Sequence, residues 1–415
     1  MQESIRFIHS ADLHLDSLFK TKKNLPSELL DQLRSSTFEA FDRLIEEAIN
    51  WSVDFVLIVG DLYDEELRSL QAQVHLRHGF AKLEEEGIDV FLSYGNHDYI
   101  NGAKYPIEFP PNVHIFKSGD IESFVFYKNG EAAARIYGFS YEDKRVTERK
   151  VEQYEKMSGA PLHIAMLHGS LESNTDHDVY APFLVEEMYK KQMDYWALGH
   201  IHKKQTLSQD PPVIYPGNIQ GRSRKESGAK GCYVVDLNQS HSKQTFLPLH
   251  AFVYERTTVD CTHLESPDEL EGKFEEAKQS LKTDCPVMLD LELHSTSGLL
   301  NRWRMSGVLE EWIGVVNESE SFSDHWVWID TVHISDRPSW DEDELKQGQH
   351  FTGALLHEAE QITDDQLQEW LSPLMENRKV TRYVEELSED EKRDILKQAK
   401  TIAIEKLIAK EESST

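Results

Sequence analysis

A chain of 415 residues, 39% hydrophobic and 28% charged, can bury a large core and is expected to form two or three domains. Its formal charge of −30 argues against a simple nucleic-acid binder with a basic surface, and no run is apolar for long enough to span a bilayer. Three scattered cysteines (Cys232, Cys261 and Cys285) exclude a disulfide framework, and the start lacks a signal-peptide segment, so the expected location is cytoplasmic.

The first half alternates buried strands with amphipathic helices. Residues 5–10 read as a strand ending at Asp12, and 26–51 as a long helix with Leu30, Leu33, Phe38, Phe41, Leu44 and Ile45 near helical spacing. A strand over 55–59 leads into Gly60-Asp61, a helix follows over 67–86, and a strand over 90–94 leads into Gly95-Asn96. Strands over 162–167 and 195–198 lead into His168 and His200, with others over 136–139, 213–215 and 232–237. The pattern predicts an α/β fold, a sandwich of two mixed sheets covered by helices. Past residue 250 the order strand, helix, strand, helix, strand predicts a small α+β domain, its second helix over 299–316. Residues 336–349 read as an acidic linker, and the remainder as helical. Ser388 and Glu391 form a capping box opening the last helix, whose apolar side carries Ile395, Ala399, Ile402, Leu407 and Ile408. The expected domains are therefore 1–250, 251–336 and 337–415.

Five short motifs run through the first half in fixed order. They are Asp12-Leu13-His14, Gly60-Asp61-Leu62-Tyr63-Asp64, Gly95-Asn96-His97-Asp98, His168-Gly169 and Gly199-His200-Ile201-His202. Each alone has an ordinary reading as a strand-end turn or a polar pair. Together they offer two Asp, one Asn and four His where strands finish, which is where open α/β sheets place their sites. Such oxygen and imidazole donors suit first-row divalent ions. Asp12 and His14 are two residues apart and point the same way, toward a first ion. Asp61 is expected to bridge two ions roughly 3.5–4 Å apart, with Gly60 keeping space clear. Asn96, His168 and His200 complete the second ion, and His202 returns to the first.

His97, held by Asp98, is expected to face the substrate as an electrostatic clamp or proton donor. Asp64 either orients a ligand or caps the following helix, and His9 is the remaining histidine expected beside the ligands. Basic residues follow the motifs: Lys20, Lys22 and Lys23 after the first, Lys203 and Lys204 after the last. Arg222, Arg224, Lys225 and Lys230 follow Pro216-Gly217-Asn218-Ile219-Gln220-Gly221. This glycine-rich, positive loop is expected to be flexible and to track a phosphate backbone through Arg222, Arg224 and Lys225. Residues 256–415 carry 17 Lys+Arg against 36 Asp+Glu, so the acidic excess lies mainly away from the motifs.

With these motifs in view, the chain resembles the calcineurin-like metallophosphoesterases. Ile8-His9-Ser10-Ala11-Asp12-Leu13-His14-Leu15, Gly60-Asp61-Leu62-Tyr63-Asp64 and Pro216-Gly217-Asn218 are similar to the SbcD-type DNA repair exonucleases. Phe19 and Ile219-Gln220-Gly221-Arg222 look most like their YhaO-type branch. The resemblance implies a calcineurin-like sandwich with a capping-type domain and helical tail. It also implies two Mn ions, DNA as substrate, 3′-to-5′ exonuclease and single-strand endonuclease activity, an SbcC-like coiled-coil ATPase partner and a homodimer. Asp12, His14, Asp61, Asn96, His168, His200 and His202 match the metal positions, and His97 the catalytic histidine. One departure stands out: Leu15-Asp16 replaces the group's usual Leu-Gly. Two other readings use the same residues: a phosphoesterase for a small phosphodiester or phosphomonoester, which the acidic charge suits, and a scaffold that regulates an ATPase.

Overall fold

The computed structural model describes residues 4–19, 22, 25–64, 68–102, 107–173, 180–281, 284–320, 325–336, 340, 342–347, 351–375 and 387–412. The chain folds as two compact units. The first comprises Met1–Glu255, Thr283–Met288 and Phe322–Trp326; the second comprises Arg256–Lys282, Leu289–Ser321 and Val327–Thr415.

In the first unit the chain runs β1 (Ile5–Ala11), α1 (Ser27–Asn50), β2 (Phe55–Val59), α2 (Leu70–Glu85), β3 (Asp89–Ser93), β4 (Val113–Ile115), β5 (Glu122–Lys128) and β6 (Glu131–Gly138). It continues with β7 (Leu162–His168), α3 (Val185–Lys190), β8 (Tyr195–Gly199), β9 (Gln205–Gln209), β10 (Pro212–Tyr215), β11 (Gly231–Asn238) and β12 (His241–Pro248). Six strands form one sheet in the order β12-β11-β1-β2-β3-β4, and six form another in the order β5-β6-β7-β8-β10-β9. Each sheet is parallel at its centre, with β1, β2 and β3 side by side in one and β6, β7 and β8 in the other.

Strands covered on both faces read as continuous apolar runs, and the pleat divides them. Ile5, Phe7 and Ala11 of β1, with Phe55, Leu57 and Val59 of β2, pack against Ile164, Met166, Tyr195 and Ala197 of the opposite sheet. Ile8, Val56 and Ile58 point the other way, onto Phe41, Leu44 and Ile45 of α1 and Leu76 and Phe80 of α2. Phe7 stacks on Phe55 at 5.1 Å and meets Tyr195 edge-on at 5.3 Å, tying one sheet to the other. The parallel strands therefore finish at the same end of the sandwich, and the motif loops leave from there.

The helix expected from residue 67 begins at Leu70, because the Ser69 hydroxyl accepts the Ala72 N–H as a cap; residue 67 itself lies outside the described residues. Most of β13 (Val253–Asp260) and β14 (Val287–Ser295) and all of β15 (Val327–Asp336) fall in the second unit and form a three-stranded sheet, joined by α4 (Glu269–Ser280), α5 (Leu299–Ser306) and α6 (Val308–Glu318). The single helix expected over 299–316 is two, because Gly307 takes φ 80° and ends one before the next begins. The stretch expected to be linker contains α7 (Glu342–Gln347). There Glu342 accepts from Lys400, and Lys346 pairs with Glu360. α8 (Phe351–Glu360), α9 (Asp364–Met375) and α10 (Glu389–Glu412) follow. The capping box of α10 forms as read, with the Ser388 N–H and hydroxyl both donating to the Glu391 carboxylate. Among the described residues no helix is long and apolar enough to cross a membrane.

Candidate metal centre

The ligand-bearing loops leave the ends of β1, β2 and β3 in one sheet and of β7 and β8 in the other. The first two loops are zipped together: the Asp12 N–H donates to the Gly60 carbonyl at 3.2 Å and the His14 N–H to the Asp61 carbonyl at 3.0 Å. Asp12, His14, Asp61 and His200 all take positive φ, at 52°, 44°, 51° and 97°. Left-handed backbone at non-glycine residues costs on the order of 1–3 kcal/mol each, and it clusters where geometry serves function. Asp16 also takes φ 63°. Gly60 keeps space clear for a ligand rather than for an ion: a Cβ there would lie 2.2 Å from His168 Nδ1.

The seven predicted ligands come together in two groups. In the first, His14 Nε2 lies 3.0 Å from His202 Nε2 and 3.8 Å from Asp61 Oδ2. In the second, Asn96 Oδ1 lies 3.1 Å from His168 Nε2 and 3.2 Å from His200 Nδ1, and His168 Nε2 is 3.5 Å from Asp61 Oδ2. Asp61 thus stands between the groups. Asp12 belongs with both sets: a carboxylate oxygen lies within 4.8 Å of ligand nitrogens of His14 and His202, and the carboxylate also accepts the His200 N–H at 3.0 Å and lies 3.8 Å from His168 Nδ1.

The protonation pattern fits a pair of cations. His168 donates from Nδ1 to the Val59 carbonyl at 3.0 Å, so its Nε2 carries the lone pair, facing the lone pairs of Asn96 Oδ1. His202 donates from Nδ1 to Glu226 at 2.7 Å, so its Nε2 lone pair faces His14. Acceptor meets acceptor in the second group, an arrangement that a divalent ion would satisfy, and in the first the His202 Nε2 lone pair is turned toward His14. Burial is the leading cause that lowers the pKa values of His14, His168 and His202, keeping them neutral as ligands must be. Burial also raises Asp12, helped by neighbouring Asp61. At Asp61 burial opposes ionisation, but His168, His97 and the His97 N–H outweigh it and lower the pKa.

Two readings from the motifs and the loop that follows them need correction. His97 is not held by Asp98. Its Nδ1 meets the Asp64 backbone carbonyl at 3.1 Å, and its ring stands edge-on to His14 at 5.0 Å. Asp98 is buried, accepts the N–H groups of Leu62 at 2.7 Å and Gly95 at 2.6 Å, and so pins two ligand loops together. Burial and the Asp61 charge push its pKa up to about 7. The run from Gly217 to Gly221 is not a flexible solvated loop either, being buried throughout. Asn218 donates to Gln220 and Glu226, and Gln220 bonds Phe252 and Ala251.

Arg222 turns inward and pairs with Asp64, its side chain only 18% exposed, whereas Arg224 and Lys225 are exposed. Lys230 is buried and donates to the His202 carbonyl. Lys22 sits over the Tyr254 ring, and Lys20 and Lys23 lie outside the described residues. His9 is buried beside the centre, accepting from the Tyr195 hydroxyl and donating to the Leu198 carbonyl, both at 3.0 Å. Burial drives its pKa down to about 3. Glu226, which accepts from His202 in this site, lies in none of the motifs read from the sequence.

A model of the calcineurin-like phosphoesterases matches residues 5–204. The chain is 38% identical over 404 residues to the uncharacterized metallophosphoesterase YhaO of Bacillus subtilis, covering 97% of this chain and 98% of that one. It is 24% identical over 264 residues to the DNA double-strand break repair protein Mre11 of Methanopyrus kandleri, covering 57% of this chain and 54% of that protein. Over 251 residues it is 26% identical to Mre11 of Thermoplasma acidophilum, covering 56% and 62%. The match to these two Mre11 proteins thus takes in little more than half of their length.

Proposed function

This chain belongs to the calcineurin-like metallophosphoesterases, and from that premise we propose that it is a two-metal nuclease hydrolysing DNA phosphodiester bonds. The action proposed is 3′-to-5′ exonucleolytic, with single-strand endonuclease activity, and manganese is the proposed metal. The observation that carries the DNA reading is the basic segment fixed against the metal centre. Arg222 reaches Asp64 beside His14, and Arg224 and Lys225 continue outward from it. The likeness to proteins named for DNA double-strand break repair supports the same substrate.

When bound, two divalent ions supply Lewis-acid polarisation of the phosphoryl group and lower the pKa of water toward neutrality. Asp12, His14, Asp61 and His202 would hold one ion, and Asp61, Asn96, His168 and His200 the other. His97 is turned by its Nδ1–H bond to the Asp64 carbonyl, which leaves Nε2 to meet the substrate oxygen. As an imidazolium it clamps phosphoryl charge and can give its proton to the leaving oxygen. Arg222 adds a permanent cation whose planar fork suits a phosphate.

The test is a metal screen on single-stranded DNA labelled at either end. Manganese-dependent shortening from the 3′ end supports the reading, and no cleavage of DNA under any divalent metal refutes it. The net charge of −30 favours a second reading, a small phosphodiester or phosphomonoester as substrate, which mono-aryl phosphate tested alongside would reveal.

An SbcC-like ATPase and a second copy of the chain are the proposed partners. Ile395 and Ile402 of α10 are exposed while Ile404 is buried, which leaves part of the apolar stripe for the ATPase. Deleting residues 388–415 should abolish ATPase binding without loss of nuclease activity; a large fall in melting temperature instead would withdraw that docking site.

A further inference from the structure

A metal-bound imidazole is held in its working orientation by what its other nitrogen donates to, and that partner sets its tautomer and basicity. His168 and His202 each show such a partner. His168 uses a backbone carbonyl, that of Val59. His202 uses a side chain, Glu226, 24 residues further along the chain and outside every motif that supplies a ligand.

Glu226 is committed on both oxygens. Oε1 accepts the His202 Nδ1–H at 2.7 Å, while Oε2 accepts the Asn218 amide at 2.9 Å and the Arg222 backbone N–H at 2.7 Å. Its side chain is 15% exposed. The His202 imidazole and its hydrogen bond, with the Arg222 charge, outweigh the effect of burial and hold the carboxyl well below the usual range. The three bonds seat the carboxylate in one position, and Arg222, whose backbone helps to seat it, pairs with Asp64 on the far side of His14.

We propose that Glu226 is a positioning residue for the metal centre: it fixes the His202 ring with Nε2 turned to the first ion, and so sets the affinity of that position alone. This deepens the two-metal reading and rests on it, but it needs no DNA. The hydrogen bonds that seat Glu226 run to His202, Asn218 and Arg222, so the ion held by Asn96, His168 and His200 should be untouched.

The test is manganese titration of the metal-free protein by calorimetry, without substrate, on wild type, Glu226→Ala, Glu226→Gln, His202→Ala and the double variant Glu226→Ala/His202→Ala. Loss of an orienting partner of this kind costs about 10–100-fold in metal affinity. The expectation is a weakening of one of two sites by that factor in Glu226→Ala. Glu226→Gln should fall in between, since an amide oxygen can accept from His202 but cannot replace both carboxylate oxygens. The double variant should be no weaker than His202→Ala, because Glu226 acts through that ring. Unchanged titration in Glu226→Ala would overturn the proposal. So would equal weakening of both sites, or additive losses in the double variant, either of which makes Glu226 a general support of the fold. Melting of each metal-free variant identifies one that fails to fold, and Glu226→Gln then carries the comparison. A wild type that binds two ions yet cleaves no DNA would remove the nuclease reading and leave this one standing.

Discussion

The His97 ring is anchored to the backbone carbonyl of Asp64 at 3.1 Å, not to the carboxylate of its chain neighbour Asp98. The catalytic candidate of the third motif is thus aimed by the end of the second. The His97 backbone N–H donates to Asp61 Oδ1 at 3.0 Å, a bond that survives removal of the ring, so the ligand groups should stay intact. His97→Ala is expected to retain both metals by elemental analysis and to lose roughly 10²–10³ in single-turnover cleavage, the usual worth of one group stabilising transition-state charge. Lost metal in this variant would make His97 a ligand instead.

Asp98 carries a structural load. Asp98→Ala leaves the buried N–H groups of Leu62 and Gly95 without an acceptor, at roughly 1–3 kcal/mol for each. Urea unfolding of the metal-free protein should show that loss. A variant as stable as wild type would mean that the two loops hold together without it.

His9 links stability to pH. Its folded pKa of about 3 lies below the ordinary 6.5, so the unfolded chain takes up the proton first as pH falls. The stability His9 contributes is present above pH 6.5 and is lost on going from 6.5 toward 3, by roughly 1.4 kcal/mol per pH unit in that window. The stability difference between wild type and His9→Gln, both metal-free, should therefore shrink across that range. A constant difference would contradict a buried neutral imidazole.

The basic residues after Gly221 should separate by position. Neutralising Arg224 and Lys225 is expected to weaken single-strand DNA binding and to reduce its salt slope by roughly 0.7 per lost phosphate contact. Hydrolysis of a bis-aryl phosphodiester should stay unchanged. Arg222→Ala releases Asp64 beside His14, so it should slow turnover of both substrates. Equal behaviour of the three residues would refute the distinction.

The fold of the first unit was legible because its central strands are buried on both faces, so that Phe55–Val59 and Leu162–His168 read as apolar runs that stop at a Gly or a ligand. Short or half-exposed strands such as Val113–Ile115 and Gln205–Gln209 have no such signature. The break at Gly307 carried its own signal, a glycine inside a helical pattern. All seven predicted ligands come together because their types and strand-end positions are local properties. Glu226 was not legible: its role comes from a contact 24 residues away, inside a run of basic residues that reads as a solvated loop. The inward turn of Arg222 escaped for the same reason, since its partner Asp64 lies 158 residues earlier.

Two ions sharing Asp61 are expected to occupy the centre. Anomalous diffraction from manganese-loaded crystals tests this most directly. Two peaks roughly 3.5–4 Å apart, flanking the Asp61 carboxylate, are predicted, and a single peak in protein that is catalytically active would contradict the account.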